Sequence, residues 1–193
     1  MSIVLSFIVS NTFNFNNNSH TLQSTNLGIV TNNNISNSTF HATQIYSTTQ
    51  TSFSNNRLLN NYQGMDGSSN SQLSIQDNNF YMSSGATGIS LATENTLSIQ
   101  RNNVTNSRTC GICASGTTMT FFNNTINDTG QGLGFSAPNL EVGGSNIHVE
   151  LNNLLNSTLQ GISVTTGTNN ITILNNQIND NDEAGILLVG VGN

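Results

Sequence analysis

Leu73-Ser-Ile75-Gln-Asp-Asn78-Asn79-Phe80 is followed one repeat later by Leu97-Ser-Ile99-Gln-Arg-Asn102-Asn103-Val104, and the frame continues through Met119 to Ile126, Ile147 to Leu154 and Ile171 to Ile178. Upstream, Thr51 to Leu58 fits it well, while Gly28 to Ile35 and Ser6 to Phe13 fit more loosely. The eight copies start at positions 6, 28, 51, 73, 97, 119, 147 and 171, a period of roughly 22 to 24 residues that marks a solenoid. The copy that begins at Met119 is longer than the rest. It must hold an insertion near residues 136–146, for which Pro138 to Asn146 is the natural place.

In every copy the third and eighth residues are apolar, as in Phe53 and Leu58, Ile75 and Phe80, or Ile99 and Val104. A further apolar residue comes later, usually straight after a glycine: Leu22, Ile45, Met65, Ile89, Ile112, Leu133, Ile162 and Ile186. These alternating, β-branched-rich runs of three to five residues predict short strands with one face inward. Three such strands cannot bury their inner faces alone. Copies stacked at the ~4.8 Å strand spacing share one continuous core.

Composition then needs explaining. The chain has 193 residues, of which 12 are charged, none is lysine, and 36 are asparagine. Together Asn, Ser and Thr make up about 44% of it, which alone would fit a disordered polar tract. The repeat removes that reading, because the sixth residue of each copy is asparagine: Asn11, Asn33, Asn56, Asn78, Asn102, Asn124, Asn152 and Asn176. An amide both donates and accepts, and asparagine tolerates left-handed backbone angles. This column predicts an inward asparagine ladder at a sharp bend, stacked as in cross-β assemblies.

Asn-x-hydrophobic followed by Gly-Ile, as in Gly88-Ile89, Gly111-Ile112, Gly161-Ile162 and Gly185-Ile186, resembles the right-handed parallel β-helix proteins of the pectin-lyase-like superfamily. The resemblance covers nearly the whole chain and implies an all-β fold, a single right-handed β-helix domain over residues 1–193. It leaves function open, since that superfamily spans lyases, hydrolases, epimerases, tailspikes and adhesins.

With three arginines and a net charge of -6, no basic patch is available for phosphates or anionic lipid, so nucleic acid is excluded as a partner. No stretch reaches the ~20 apolar residues of a membrane span. The apolar start, Ser2 to Ser10, lacks the positive leading region and cleavage site of a signal peptide. No cofactor or metal is expected. Cys110-Gly-Ile-Cys113 lacks a second pair for zinc, and in an extended strand its ends are ~10 Å apart, so free thiols are expected. His20, His41 and His148 fall at unrelated positions and read as surface residues.

The carbohydrate enzymes of the superfamily work on an outer groove with clustered carboxylates. Here the tenth residue of the copy runs Asn60, Met82, Asn106, Asp128, Asn156, Asp180. Stacked in register, Asp128 and Asp180 lie two coils apart, ~9.6 Å, near the upper end of the range for an inverting glycosidase pair, with Asp182 and Glu183 close by. As turn formers on exposed bends, the same residues need no catalytic role. Arg57 and Arg101 adjoin one turn column with only Asp77 between them, too few oxygens for a lyase-type calcium site.

The expectation is therefore a non-enzymatic, secreted or surface-exposed shaft that contacts a polysaccharide or other glycan. The alternative is a lyase or hydrolase using Asp128, Asp180 and Asp182. The repeat runs from Ser6 to Ile186 without an obvious cap, so flanking domains or a capping partner are expected.

Overall fold

The computed structural model describes residues 5–14, 20–23, 26–82, 87–130 and 138–190. Every strand pairing among them is parallel, and no helix occurs. The copy frame is the register. Ser6 pairs with Gly28, Gly28 with Thr51, Thr51 with Leu73, Leu73 with Leu97, Leu97 with Met119, Met119 with Ile147 and Ile147 with Ile171. The first face is built on these pairings. The second carries the eighth residues, from Phe13 opposite Ile35 to Leu154 opposite Ile178, in an eight-stranded sheet. Eight rungs make seven steps, so the chain completes about seven turns, slightly fewer than the eight coils counted from the repeats.

Alternation decides what is inside. Phe53, Ile75, Ile99, Phe121 and Val149 of the first face meet Leu58, Phe80, Val104, Ile126 and Leu154 of the second in one continuous core. Phe53 and Phe80 stack with centroids 6.2 Å apart.

The third face departs from the sequence reading in three ways. Its strands fuse with the first-face strand of the next coil to give Thr87–Gln100, Cys110–Phe122 and Leu140–Glu150, longer than the expected runs of three to five residues. Met65 pairs with Thr43, and Ile45 falls opposite Gly67. Ile112 pairs with Leu140, which takes the place assigned to Leu133; Leu133 lies outside the described residues. From Leu140 onward the widened offset to the preceding coil is already complete, the same for Ile112 and Leu140 as for Met119 and Ile147, whereas Gly130 still bonds back to Ser107 at the ordinary spacing. The widening is thus complete before Leu140, and most of the Pro138 to Asn146 stretch is regular strand.

The ladder forms as expected. Asn102 Oδ1 accepts from Asn78 N and Nδ2, both at 3.0 Å, and Asn102 in turn donates to Asn124 Oδ1. Its Nδ2 also reaches Ile75 O in the preceding coil, so each amide ties together three rungs. The same pattern runs from Asn11 to Asn176, with the interior members buried. The left-handed backbone belongs to the residue before the ladder: Ser10, Asn32, Asn55, Asp77, Arg101, Asn123, Leu151 and Asn175 all have φ of 52° to 58°. Two adjacent columns, one needing αL tolerance and one needing an amide, together account for much of the asparagine surplus.

Leu151 is the misfit in this column. Its side chain is exposed and its φ is 57°, where a residue with a Cβ and no local polar bond is disfavoured by about 1 kcal/mol. Leu151→Asn is expected to stabilise the protein by that amount, seen as a raised denaturation midpoint. An unchanged or lowered midpoint would contradict the strain argument.

Candidate functional site

The tenth-residue column forms a second bend of the same kind. Asn37, Asn60, Asn106, Asp128, Asn156 and Asp180 have φ of 51° to 63°, so the two aspartates do serve as left-handed turn formers. Each is followed by an inward polar residue, including Ser38, Asn61, Ser107, Thr129 and Ser157. Asn61 Oδ1 accepts from Ser38 N, and Asn181 Oδ1 from Ser157 N, which makes a partial second ladder.

Because successive coils repeat this bend in register, its outward side chains line up along the shaft. A polar cleft of about 530 Å³ results, lined by Tyr81, Thr105, Asn106, Asp128, Asn156, Ser157, Asp180 and Asp182. All three candidate aspartates therefore share one open site. Asp128 Oδ2 accepts from Asn127 Nδ2 at 2.8 Å, and Oδ1 accepts from Asn156 Nδ2 at 3.2 Å. Each oxygen retains acceptor capacity toward the cleft. Asp182 N donates to Ser157 O, and Glu183 is turned to Gln160 instead, bonding its Nε2.

Aromatic residues extend this edge toward the N-terminal coils. Tyr62 N donates to Ser38 O as Asp182 N donates to Ser157 O, so Tyr62 and Asp182 hold equivalent positions. Phe40 lies one rung before Tyr62, since Gln63 N bonds to Phe40 O. Phe40, Tyr62 and Tyr81 are all exposed. From Phe40 to Asp182 the stripe crosses six rungs, roughly 29 Å. The repeat marks the aspartates, which sit in a turn column, but not these aromatics, because a residue at an outward position breaks no hydrophobic pattern.

Other sequence candidates lie elsewhere. Asp77 is bound in two places by Arg101, at 2.7 Å through Nε and through Nη2, at the ladder bend and away from the cleft. That guanidinium holds the Asp77 carboxyl below its usual range. His148 Nε2 contacts Glu150 at 2.9 Å, which lowers the Glu150 pKa, and His41 Nδ1 contacts Gln44. The His20 side chain lies outside the described residues.

Cys110 and Cys113 are joined in a disulfide, in place of the expected free thiols. The strand is not extended across them. Cys110, Gly111 and Ile112 are buried in succession, as happens where a chain rounds a corner, and the Cα atoms are 6.0 Å apart instead of ~10 Å. Gly111 allows this close packing: a Cβ there would lie 2.3 Å from Ile126 Cγ2 and 2.5 Å from Asn139 O.

A buried acid also escaped the sequence reading. At the third bend Thr48, Asn70 and Glu94 form a short inward ladder, with Asn70 Oδ1 accepting from Thr48 N and Oγ1. Both Glu94 oxygens accept from Asn70, at 3.1 Å each. Burial nevertheless pushes the Glu94 carboxyl up to about 7. The following coils place Gly116 and Gly144 at this bend, where no side chain continues the ladder. On the neighbouring outer surface Tyr46 Oη donates to Asp66, and desolvation with that bond raises the Tyr46 hydroxyl to about 12.

No curated protein and no solved structure matches the chain in sequence or fold comparisons. The family described as "Right handed beta helix region" matches over residues 5–126 and 83–193. Those two overlapping matches span the parallel coils, their ladder and the cleft, in agreement with the pectin-lyase-like resemblance, and the chain belongs to the right-handed β-helix family.

Proposed function

We propose that this β-helix is a secreted or surface-exposed shaft that binds a neutral polysaccharide along its second bend. The carrying observation is the group of exposed aromatics flanking this bend: Phe40 and Tyr62 follow it in two neighbouring coils, and Tyr81, on the second face just before it, lines the cleft of amides, hydroxyls and carboxylates. Aromatic rings offer apolar faces with polar rims, suited to stacking on sugar rings. The Asn and Asp groups supply donors and acceptors for hydroxyls at the regular rung spacing. The cleft lining contains three carboxylates and no cation, which disfavours an anionic polymer by like-charge repulsion.

A second reading, glycoside hydrolysis, is supported by the placement of Asp128 and Asp180 two rungs apart in one cleft. One experiment separates the two. Immobilised neutral polysaccharides are expected to retain the wild-type protein, with Tyr81→Ala weakening retention at least tenfold and with no release of reducing ends. Failure to bind any neutral polysaccharide would refute both readings. Release of reducing ends that disappears in the Asp128→Asn, Asp180→Asn double variant would replace the binding reading with the hydrolytic one.

A further inference from the structure

Outside the cleft, one cluster among the described residues brings metal-ligating chemistry together. On the third face the outward column runs Asp66, Ser90, Cys113, Glu141, Ser163, each residue paired with the next across one rung. The corner at Cys110 folds a second sulfur onto this column. Cys110 Sγ, Cys113 Sγ and a Glu141 carboxylate oxygen lie within 4.8 Å of one another. Beside them is a cleft of about 150 Å³, whose lining includes Cys113, Glu141, Ser90, Ser115 and Thr165.

We propose that reduction of the Cys110–Cys113 disulfide opens a site for one thiophilic divalent cation, Zn²⁺ in the first instance, held by both thiolates and the Glu141 carboxylate. Two sulfurs and one carboxylate are a suitable donor set for zinc, and the adjoining cleft leaves a fourth position open to water. In the oxidised state both sulfurs are spent on each other and the site is closed. Opening it takes two electrons and two protons: an external dithiol is oxidised to its disulfide while the Cys110–Cys113 bond breaks to give two thiols. Metal binding then displaces the two thiol protons to solvent. Both cysteines sit on rungs whose backbone bonds run to neighbouring coils, as Gly111 N to Pro138 O and Ile112 N to Asn139 O, so the ligands stay in place when the sulfur bridge opens.

The test uses the whole chain, treated with a non-thiol reductant and titrated with Co²⁺ as a spectroscopic stand-in for Zn²⁺. Expected is one equivalent of Co²⁺ with a thiolate-to-metal charge-transfer band, reversed by Zn²⁺, while circular dichroism remains that of a β-helix. Untreated protein gives no such band, and Glu141→Gln, a partly exposed substitution, weakens binding at least tenfold. The proposal is overturned if the reduced protein gives no band, if it loses its β-structure on reduction, or if Glu141→Gln binds as tightly as wild type.

Discussion

Asn102→Ala is expected to destabilise the protein by about 3 to 5 kcal/mol. The substitution removes the acceptor for two donors of Asn78, its backbone N and its Nδ2, in a position only 2% exposed. It also deprives Ile75 O of its side-chain donor. Each buried polar group left without a partner costs about 1 to 3 kcal/mol, and alanine adds a void that the packed coil cannot close. Position within the stack should grade the effect. Asn11 is exposed and, among the described residues, accepts no ladder bond, so Asn11→Ala is expected to cost under about 1 kcal/mol. Denaturant midpoints of the two variants measure this difference, and equal losses would show that the ladder is not a cooperative stack.

Stability should fall by about 3 kcal/mol between pH 4.5 and pH 7 because of Glu94. Burial raises this carboxyl from 4.5 to about 7 in the folded chain. Between those values the folded state keeps its proton while the unfolded chain has released it. The stabilising contribution is therefore complete below pH 4.5 and lost as pH rises through 7, at about 1.4 kcal/mol per unit. Asp77 and Glu150 have lowered pKa values, so their contributions disappear only on acidification, at the other end of the scale. Glu94→Gln is expected to flatten the slope between pH 5 and 7, at the expense of one Asn70 bond, because a Gln amide presents a donor where Glu94 presents a second acceptor. Urea midpoints collected at pH 5, 6, 7 and 8 decide it; a wild-type curve as flat as the variant's would mean that Glu94 titrates as an exposed group.

The polar interior gives these two predictions their size. A β-helix turns sharply at its corners, where backbone donors and acceptors point inward with no strand to pair them. Asparagine at the first bend resolves this with an amide that reaches the rung above and the rung below. The third bend does so with Thr48 and Asn70 and then places a carboxyl, Glu94, where the next two coils supply only glycine. The first arrangement is uniform and strong. The second stops at a group whose charge depends on pH.

Legibility differed between these features for physical reasons. The first and second faces were readable residue by residue, since Phe53 must lie over Ile75 and Leu58 over Phe80 if one column of apolar side chains is to stay dry. At the third face the number of residues before the strand differs from coil to coil, so the glycine-then-apolar signal marks the right residue at Ile89 and Ile112 but not at Ile45, which falls opposite Gly67, and the partner of Ile112 is Leu140 where the signal points to Leu133. The ladder is legible in sequence, but the left-handed angle belongs to the residue before it, and the two columns look alike because both favour asparagine, for different reasons.

What the sequence determined by itself was the solenoid: the period, the register of two faces and the ladder column, because stacking forces the same chemistry to recur at every rung. What only the tertiary structure decided was where outward side chains meet. Tyr62 and Asp182 are far apart along the chain yet equivalent in the bend, Cys110 turns back onto Cys113 at a corner, and Glu141 arrives beside them from the next coil. Inward positions are constrained by the neighbour above and below and so leave a periodic trace. Outward positions other than the left-handed turn columns answer to solvent alone, leave no such trace, and form a site only when the turns of the helix bring them together.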